Sequence, residues 1–332
     1  MTQKLITEKT QLLADGNLFE AGYATHMNFV YNRRDARGRL KEWDFYQILC
    51  GNVVLQLTVG HIDWCAQISA NLIDLSTGKR QSVSQTRLNP RKVKRTLGSN
   101  PETPNQVLYS HKGLKVKFET TATSRRLTLS QLHKNRLRAE VDVILTNCFD
   151  EKDKMVIATP FDEPQQWYLN YKENCFVANG YARIDDFEVE IKDGNGVLDW
   201  GRGVWPRKHQ WIWGNGSTVV DGKHFGFNIG WGFGNTSNAT ENMFFWDNKA
   251  YKLGAVQEFM IGDNFRYADE EKRFVFDVEP IYDNFTRTKA PRVNNTCHQV
   301  FGTWRGYVVL DDGTRLAIPP FIAFCEHADN NW

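Results

Sequence analysis

The alternation of apolar and polar side chains with a period of two restricts this chain more than any other pattern. From Leu137 to Val143, the residues Leu137, Ala139, Val141 and Val143 take one side, and Arg138, Glu140 and Asp142 take the other. Leu114, Val116 and Phe118 alternate with Lys115, Lys117 and Glu119, and Phe187, Val189 and Ile191 alternate with Glu188 and Glu190. Successive side chains of a strand point to opposite faces, so such runs bury one face and wet the other. Asp221-Gly222, Asp247-Asn248 and Asp312-Gly313 stand between apolar segments and suit tight hairpins. Outside the first fifteen residues, no amphipathic period of ten or more residues predicts a helix. The expected fold is all-β, built from antiparallel meanders.

The polar, turn-rich stretches CFDEKDK and FDEPQQW, between residues 148 and 170, predict a seam between two β halves. The halves would span 1–160 and 161–332, the second carrying a tryptophan-rich segment. Thr86 to Gln106 holds Arg87, Arg91, Lys92, Lys94 and Arg95 and reads as a solvated loop or short helix. With 41 Lys and Arg against 39 Asp and Glu, the chain lacks the field that would draw it to nucleic acid or an anionic membrane. The first residues hold no apolar core of a secretion signal, and no run approaches the ~18 apolar residues of a membrane span. A cytoplasmic protein is therefore expected. The six cysteines, Cys50, Cys65, Cys148, Cys175, Cys297 and Cys325, form no CxxC pair and read as reduced thiols. The N-x-[ST] sequons at Asn215, Asn235, Asn238, Asn284 and Asn294 read as chance in that setting.

Five of the eleven tryptophans, Trp200, Trp205, Trp211, Trp213 and Trp231, fall between Asp199 and Gly234. They are interleaved with Asp199, Arg202, Arg207, Lys208 and His209. A core needs rings but not charges threaded among them, whereas aromatic walls around a few placed polar groups make a small-molecule pocket. The strand that follows, His224 to Gly234, sets Phe225, Phe227, Ile229, Trp231 and Phe233 against Gly226, Gly230, Gly232 and Gly234. A glycine face marks the close approach of another backbone, a bulky side chain or a ligand. The rings are then either the wall of a pocket or the filling of that glycine face.

Among the polar residues, Asp199 is the leading acid/base candidate, because a carboxylate among tryptophans is desolvated and its pKa raised. The competing reading is an ion pair with Arg202 or Arg207. Arg202, flanked by glycines, suits either an anion clamp or a stack on a tryptophan face. Asp199 and Arg202 form the catalytic expectation. Trp205, His209, Trp211, Trp213, Trp231, Glu241 and Glu326 form the ligand-binding one. His209 suits proton transfer or a surface position. Glu326, within IAFCEHA, is either a pocket acid or a partner of Arg305 or Arg202. Tyr31, Arg33, Arg34, Trp43, Asp44 and Tyr46 suit an interface between the halves or one rim of the pocket, with structural packing the favoured role. His298, His327 and Glu326 lack a HExxH-like spacing, so no metal is expected. The motifs GxSxG, GxxxxGK[ST] and GxGxxG in its strand–helix setting are absent, and no cofactor is expected.

Several blocks carry a resemblance. LLADGNLFEAGYATHMNFVYNRRDARGRLKEWDFYQI (Leu12 to Ile48), DWGRGVWPRKHQWIWGNG, ENMFFWDNKAYKL, FGTWRGYVVLDDG and FCEHADNNW resemble a mostly bacterial family known only as domain of unknown function 2804, which implies no activity. More distantly, the order from Gly180 through Trp213 to Asp221-Gly222 resembles the carotenoid 1,2-hydratase-like proteins. That resemblance implies tandem lipocalin-like β-barrels acting on apolar polyenes, with Asp199 near the acidic position of the motif. The chain departs from the pattern: Asp199 is followed by Trp200, and His209 comes ten residues later. The expected function is binding of an apolar, terpenoid- or lipid-like small molecule, with acid-assisted hydration or isomerisation. The alternative is a carbohydrate-binding or glycoside-processing protein with tryptophan stacking and paired carboxylates drawn from Asp199, Glu241 and Glu326.

Overall fold

In a computed structural model that describes residues 3–147, 152–290 and 293–332, the chain forms two curled antiparallel sheets packed back to back. Four strands of the first sheet carry its site residues: β1 (Lys41–Cys50), β2 (Val53–Ile62), β3 (Trp167–Ile184) and β4 (Phe187–Val204). Its order runs Asn105–His111, Leu114–Thr120, Arg125–His133, Arg136–Thr146, β3, β4, β1, β2, Ala66–Asp74, Arg80–Arg87. Gln85 links the two edges, donating to the His111 carbonyl at 3.0 Å and accepting from the Tyr109 hydroxyl at 3.0 Å. The second sheet uses β5 (Lys208–Val220), β6 (Lys223–Trp231), β7 (Val256–Ile261), β8 (Asn264–Asp269), β9 (Val293–Val309) and β10 (Arg315–Asn331). Its order is Lys249–Lys252, Met243–Trp246, β6, β5, β10, β9, Phe274–Asp283, β8, β7. This is the all-β antiparallel architecture that the alternation predicts, in the two-half lipocalin-like form that the resemblance implies.

The hydrogen-bonded sheets change over between Val204 and Lys208. The seam expected near 148 to 170 instead falls where Met155–Pro160 pairs with β3 inside the first sheet. Trp200 therefore belongs to the first sheet, while Trp211, Trp213 and Trp231 belong to the second. Asp221 and Gly222 both have positive φ and close the β5–β6 hairpin, as do Asp247 and Asn248 between Trp246 and Lys249. The basic stretch contains one short helix, Arg91–Thr96, anchored by buried Val93. Among residues 3–15, where the sequence does not exclude a helical period, the chain forms the short strands Thr10–Gln11 and Leu13–Ala14. Of the six cysteines, Cys148 lies outside the described residues and the other five are free thiols.

Strand parity divides the side chains between barrel interiors and the junction. Within β1, Asp44, Tyr46 and Ile48 turn into the first barrel, and Phe45 and Leu49 pack on the opposite side with Trp213 and Phe324 of the second. Within β6, Phe225, Phe227 and Ile229 are fully buried in the second barrel. The glycine face of β6 is turned to the first barrel. A Cβ at Gly226 would stand 2.6 Å from the Cys175 sulfur, and one at Gly230 would overlap the Glu241 carboxylate. Gly232, at φ +84, ends the alternation, so Phe233 packs with Tyr168 and Trp205 instead of continuing the Phe225 face.

Candidate functional site between the two barrels

On the junction face of β3, the residues Tyr168, Asn170 and Lys172 follow at period two, each opposite a β4 residue: Gly203, Gly201 and Asp199. Gly201 and Gly60 leave the room in which the Trp43 indole lies flat on the sheet. Asp199, nearly buried, accepts from Asn170 Nδ2 at 2.7 Å and from Trp43 Nε1 at 3.2 Å. The Lys172 ammonium lies 3.3 Å from Asp199 Oδ1, 3.7 Å from Glu241 Oε2 and 3.8 Å from the centre of the Trp213 ring. Lys172 thus joins a carboxylate of one barrel to a carboxylate and an indole of the other.

The second barrel supplies the facing wall. Trp211, Trp213 and Asn215 alternate on β5, and Trp213 stands opposite Glu326 of β10 and Gly230 of β6. Glu326 accepts from Trp211 Nε1 at 2.7 Å and Gln299 Nε2 at 3.2 Å. Burial pushes its carboxyl up to about 7 against the opposing pull of the Trp211 donor and Lys172. Glu241 accepts from Asn228 at 3.1 Å, and the Asn228 side-chain oxygen accepts from Trp213 Nε1 at 2.8 Å. Gln56 of β2 donates to Gln299 of β9 at 2.8 Å and to Gln47 at 2.9 Å, which carries the network across the junction. The Tyr168 phenol is nine-tenths buried, and none of the described residues hydrogen-bonds it. Burial, with Asp199, Glu241 and Glu326 nearby, keeps that phenol protonated far above neutral pH.

Beside this cluster, Tyr168, Trp205, Phe233 and Trp332 form an aromatic box edged by half-buried Trp43, Phe161 and Trp211. His209 is buried there and stacks on Trp211 with ring centres 5.7 Å apart. Its Nδ1 faces the carbonyls of Pro206 and Arg207 at 3.0 and 3.2 Å, and burial holds the imidazole down to about 4. Its Nε2 is buried without a partner. Lys41, fully buried, donates to the Trp205 carbonyl at 3.0 Å with its ammonium 4.3 Å from the Trp205 ring, and burial lowers its pKa to about 7.

The predicted residues therefore separate. Asp199, Trp213, Glu241, Glu326, Trp211, His209 and Trp205 gather at the junction. Arg202 does not join them. Three positions beyond Asp199, it points into the first barrel, where it donates to Asp44 at 2.8 Å and stacks on Trp200 at 3.8 Å, close to Glu42. Tyr31, Arg33 and His61 also bind Glu42, so Tyr31, Arg33 and Asp44 take the packing role, whereas Trp43 of the same block reaches the junction and donates to Asp199. The pairing of Asp199 with Arg202 or Arg207 is replaced by Lys172. Glu326 meets Trp211 and Gln299 in place of Arg305 or Arg202. Trp231 lies opposite Ile212 and faces the second barrel's interior, away from Trp211 and Trp213. Lys172, Asn170 and Tyr168 had a readable signal: YLNYKEN alternates polar and apolar residues on a strand that is buried on both faces.

A cation shared between Asp199 and Glu241 suits a clamp on a ligand oxygen better than two carboxylates facing each other over open space, which glycoside cleavage requires. A separate open groove of about 890 Å³ lies on the outer face of the second barrel, between Phe259, Ile261, Arg266, Asp277, Arg305 and Tyr307. Its Arg266–Asp277 pair is already satisfied at 2.7 Å, and it holds none of the predicted site residues.

Solved structures of the same architecture include an AttH protein from Nitrosomonas europaea, with 12% identity over 90% of this chain and 95% of that one and a TM-score of 0.55. Kievitone hydratase from Nectria haematococca shares 11% identity over 90% of each chain, with a TM-score of 0.53. At that identity the likeness shows the fold alone. No curated protein matches the chain. Over residues 3–332 it matches the family model described as a domain of unknown function, DUF2804, and the chain belongs to that family.

Proposed function

For this member of the DUF2804 family, we propose that the junction binds an apolar, terpenoid- or lipid-like small molecule with one oxygen function, and converts it by acid-assisted hydration or isomerisation. The observation that carries the reading is the convergence of Lys172, Asp199 and the unpartnered Tyr168 phenol among Trp43, Trp205, Trp211 and Trp213. A buried polar atom without a protein partner is uncommon, and Asn170 Oδ1, Trp205 Nε1 and His209 Nε2 are such atoms at the junction, which a ligand or water would satisfy. Lys172 and Tyr168 would hold the ligand oxygen, the indoles would cover its hydrocarbon, and a carboxyl of the cluster would move the proton. In hydration, the alkene takes a proton at one carbon and water at the other, and the water's surplus proton returns to the carboxylate, so no other reactant is consumed. The kievitone hydratase likeness supports a scaffold able to host such chemistry, without naming the substrate. We place the protein in the cytoplasm, in keeping with its five described free thiols.

The test is a panel of monoterpenes and monoterpene ketones, read first by tryptophan fluorescence and then by deuterium uptake from D₂O. Binding should quench the indoles, and turnover should place deuterium on carbon. Asp199→Asn should abolish the deuterium uptake and keep the quenching. Uptake that persists in this variant would remove Asp199 from the reaction, and a panel that neither quenches nor exchanges would sink the reading.

A further inference from the structure

The β10 strand that sends Glu326 to the junction sends Cys325 and His327 the other way, into the second barrel. Facing them from the edge strand β7 is Glu258. His327 Nε2 lies 3.0 Å from Glu258 Oε2, and the Tyr267 hydroxyl of β8 donates to that same oxygen at 2.6 Å. The Tyr267 phenol also meets the Cys325 sulfur. The ligating atoms of Glu258, Cys325 and His327 all lie within 4.8 Å of one another. Cys325 is buried, while Glu258 and His327 are half-buried, so the group sits at the barrel's mouth with a path to solvent.

We propose that Glu258, Cys325 and His327 bind a divalent transition metal of the zinc type inside the second barrel. One thiolate, one imidazole and one carboxylate are the donor mixture that borderline-soft Zn²⁺ accepts. A tetrahedron with zinc bond lengths has ligand-to-ligand edges of about 3.3–3.8 Å, so the present spacing closes with roughly 1 Å of side-chain movement. Three protein ligands leave the fourth position for water or a small oxygen ligand. Tyr267, already bonded to Glu258, is placed to fix that carboxylate's orientation, as outer partners of metal ligands do. The motif is invisible to a search for helical spacing, because Cys-x-His on a strand is what puts two donors on one face. The third donor comes from a strand 67 residues earlier in the chain.

Without metal, the Glu258 hydrogen bond raises the pKa of His327 and burial raises that of the Cys325 thiol. Metal uptake therefore releases protons, and affinity should climb with pH. The site lies on the opposite face of β10 from the junction, so it stands or falls independently of the ligand reading above.

The experiment uses full-length protein stripped with EDTA and titrated with CoCl₂, then with ZnCl₂ in competition. One equivalent of Co²⁺ should produce an intense near-ultraviolet thiolate-to-cobalt band, which Zn²⁺ then bleaches. Cys325→Ser should lose the band, and Glu258→Gln, at the half-exposed edge, should weaken binding at least ~10-fold with the circular dichroism unchanged. On the unaltered protein, zinc-edge X-ray absorption should show one sulfur and two or more nitrogen or oxygen neighbours, which keeps the test valid even if Cys325→Ser misfolds. No cobalt band, or a band undiminished in folded Cys325→Ser, or a zinc shell without sulfur, would each overturn the site.

Discussion

Replacing Lys172 with methionine tests the centre of the junction most directly. The side chain is almost wholly buried, and its ammonium stands 3.3 Å from Asp199 and 3.7 Å from Glu241. At an effective dielectric of about 20, those separations correspond to roughly 5 and 4.5 kcal/mol of gross attraction. Most of this is offset by desolvating the three charges, so the informative quantity is what happens when one member is removed. Methionine keeps the length and the contact with Trp213 but leaves two carboxylates unpaired beside indoles. Lys172→Met should cost about 3–5 kcal/mol in urea unfolding at pH 7.5. Adding Asp199→Asn and Glu241→Gln to that background removes the stranded charges and should recover more than half of the loss. In the Lys172-containing protein, the same two amide substitutions should destabilise. A loss below about 1 kcal/mol for Lys172→Met, or no recovery in the triple variant, would show that the three groups are not coupled and would remove the basis for a ligand-oxygen clamp there.

Lys41 gives a pH signature. Its folded pKa, near 7, lies below the ordinary 10.5, so between those values the folded protein holds fewer protons than the unfolded chain and stability rises with pH. The advantage of Lys41→Met over the parent should be full below about pH 7 and shrink by up to ~1.4 kcal/mol per pH unit above it, read by urea unfolding at pH 6.5, 7.5 and 8.5. A gap that does not change with pH would mean that Lys41 stays charged. Gly230→Ala should cost about 1–3 kcal/mol, because its methyl group meets the Glu241 carboxylate, whereas Gly222→Ala, with open space around the Cβ, should show only the mild strain of its positive φ. Calorimetry that ranks the two in the reverse order would contradict the packing of β6. Arg202→Met should destabilise by about 3–5 kcal/mol through the exposed needs of Glu42 and Asp44, yet leave fluorescence quenching by any bound terpenoid intact. Loss of quenching in a folded variant would return Arg202 to the binding site.

Fold class was legible because strand parity is written in the residues themselves: Leu114 to Glu119 and Phe187 to Ile191 alternate, and hairpin dipeptides close the meander at Asp221-Gly222. The sheet changeover was not, because β3 and β4, at 18 residues each, outrun the turn-rich stretch that precedes them. Asp199, Glu241 and Glu326 were legible as carboxylates in costly apolar settings. What joins them, Lys172, carried a signal in the alternation of YLNYKEN but was missed, since a lysine there reads as a wet face until a second sheet covers it. The separation of Arg202 from Asp199 was not legible either, because adjacency in sequence hides that a three-residue step on a strand reverses direction, although the stack on a tryptophan face, one of its two readings, is found. The glycines of β6 signalled close approach correctly, and the structure identifies the approaching groups as Cys175 and Glu241.

The back-to-back packing has a further consequence. Lys172 and Asp199 belong to one sheet, Trp213 and Glu326 belong to the other, and Glu241 lies on the loop that leads into Met243–Trp246, so the distances that define the cluster are also a gauge of how the two barrels are set against each other. A sliding of one sheet over the other by a single residue, about 3.3 Å along the strand, would separate Lys172 from every group it now meets across the junction. The Gln56–Gln299 hydrogen bond and the ring of indoles therefore act for the pair of barrels as a key does for a shaft, and a ligand held at the junction as proposed would report on that alignment.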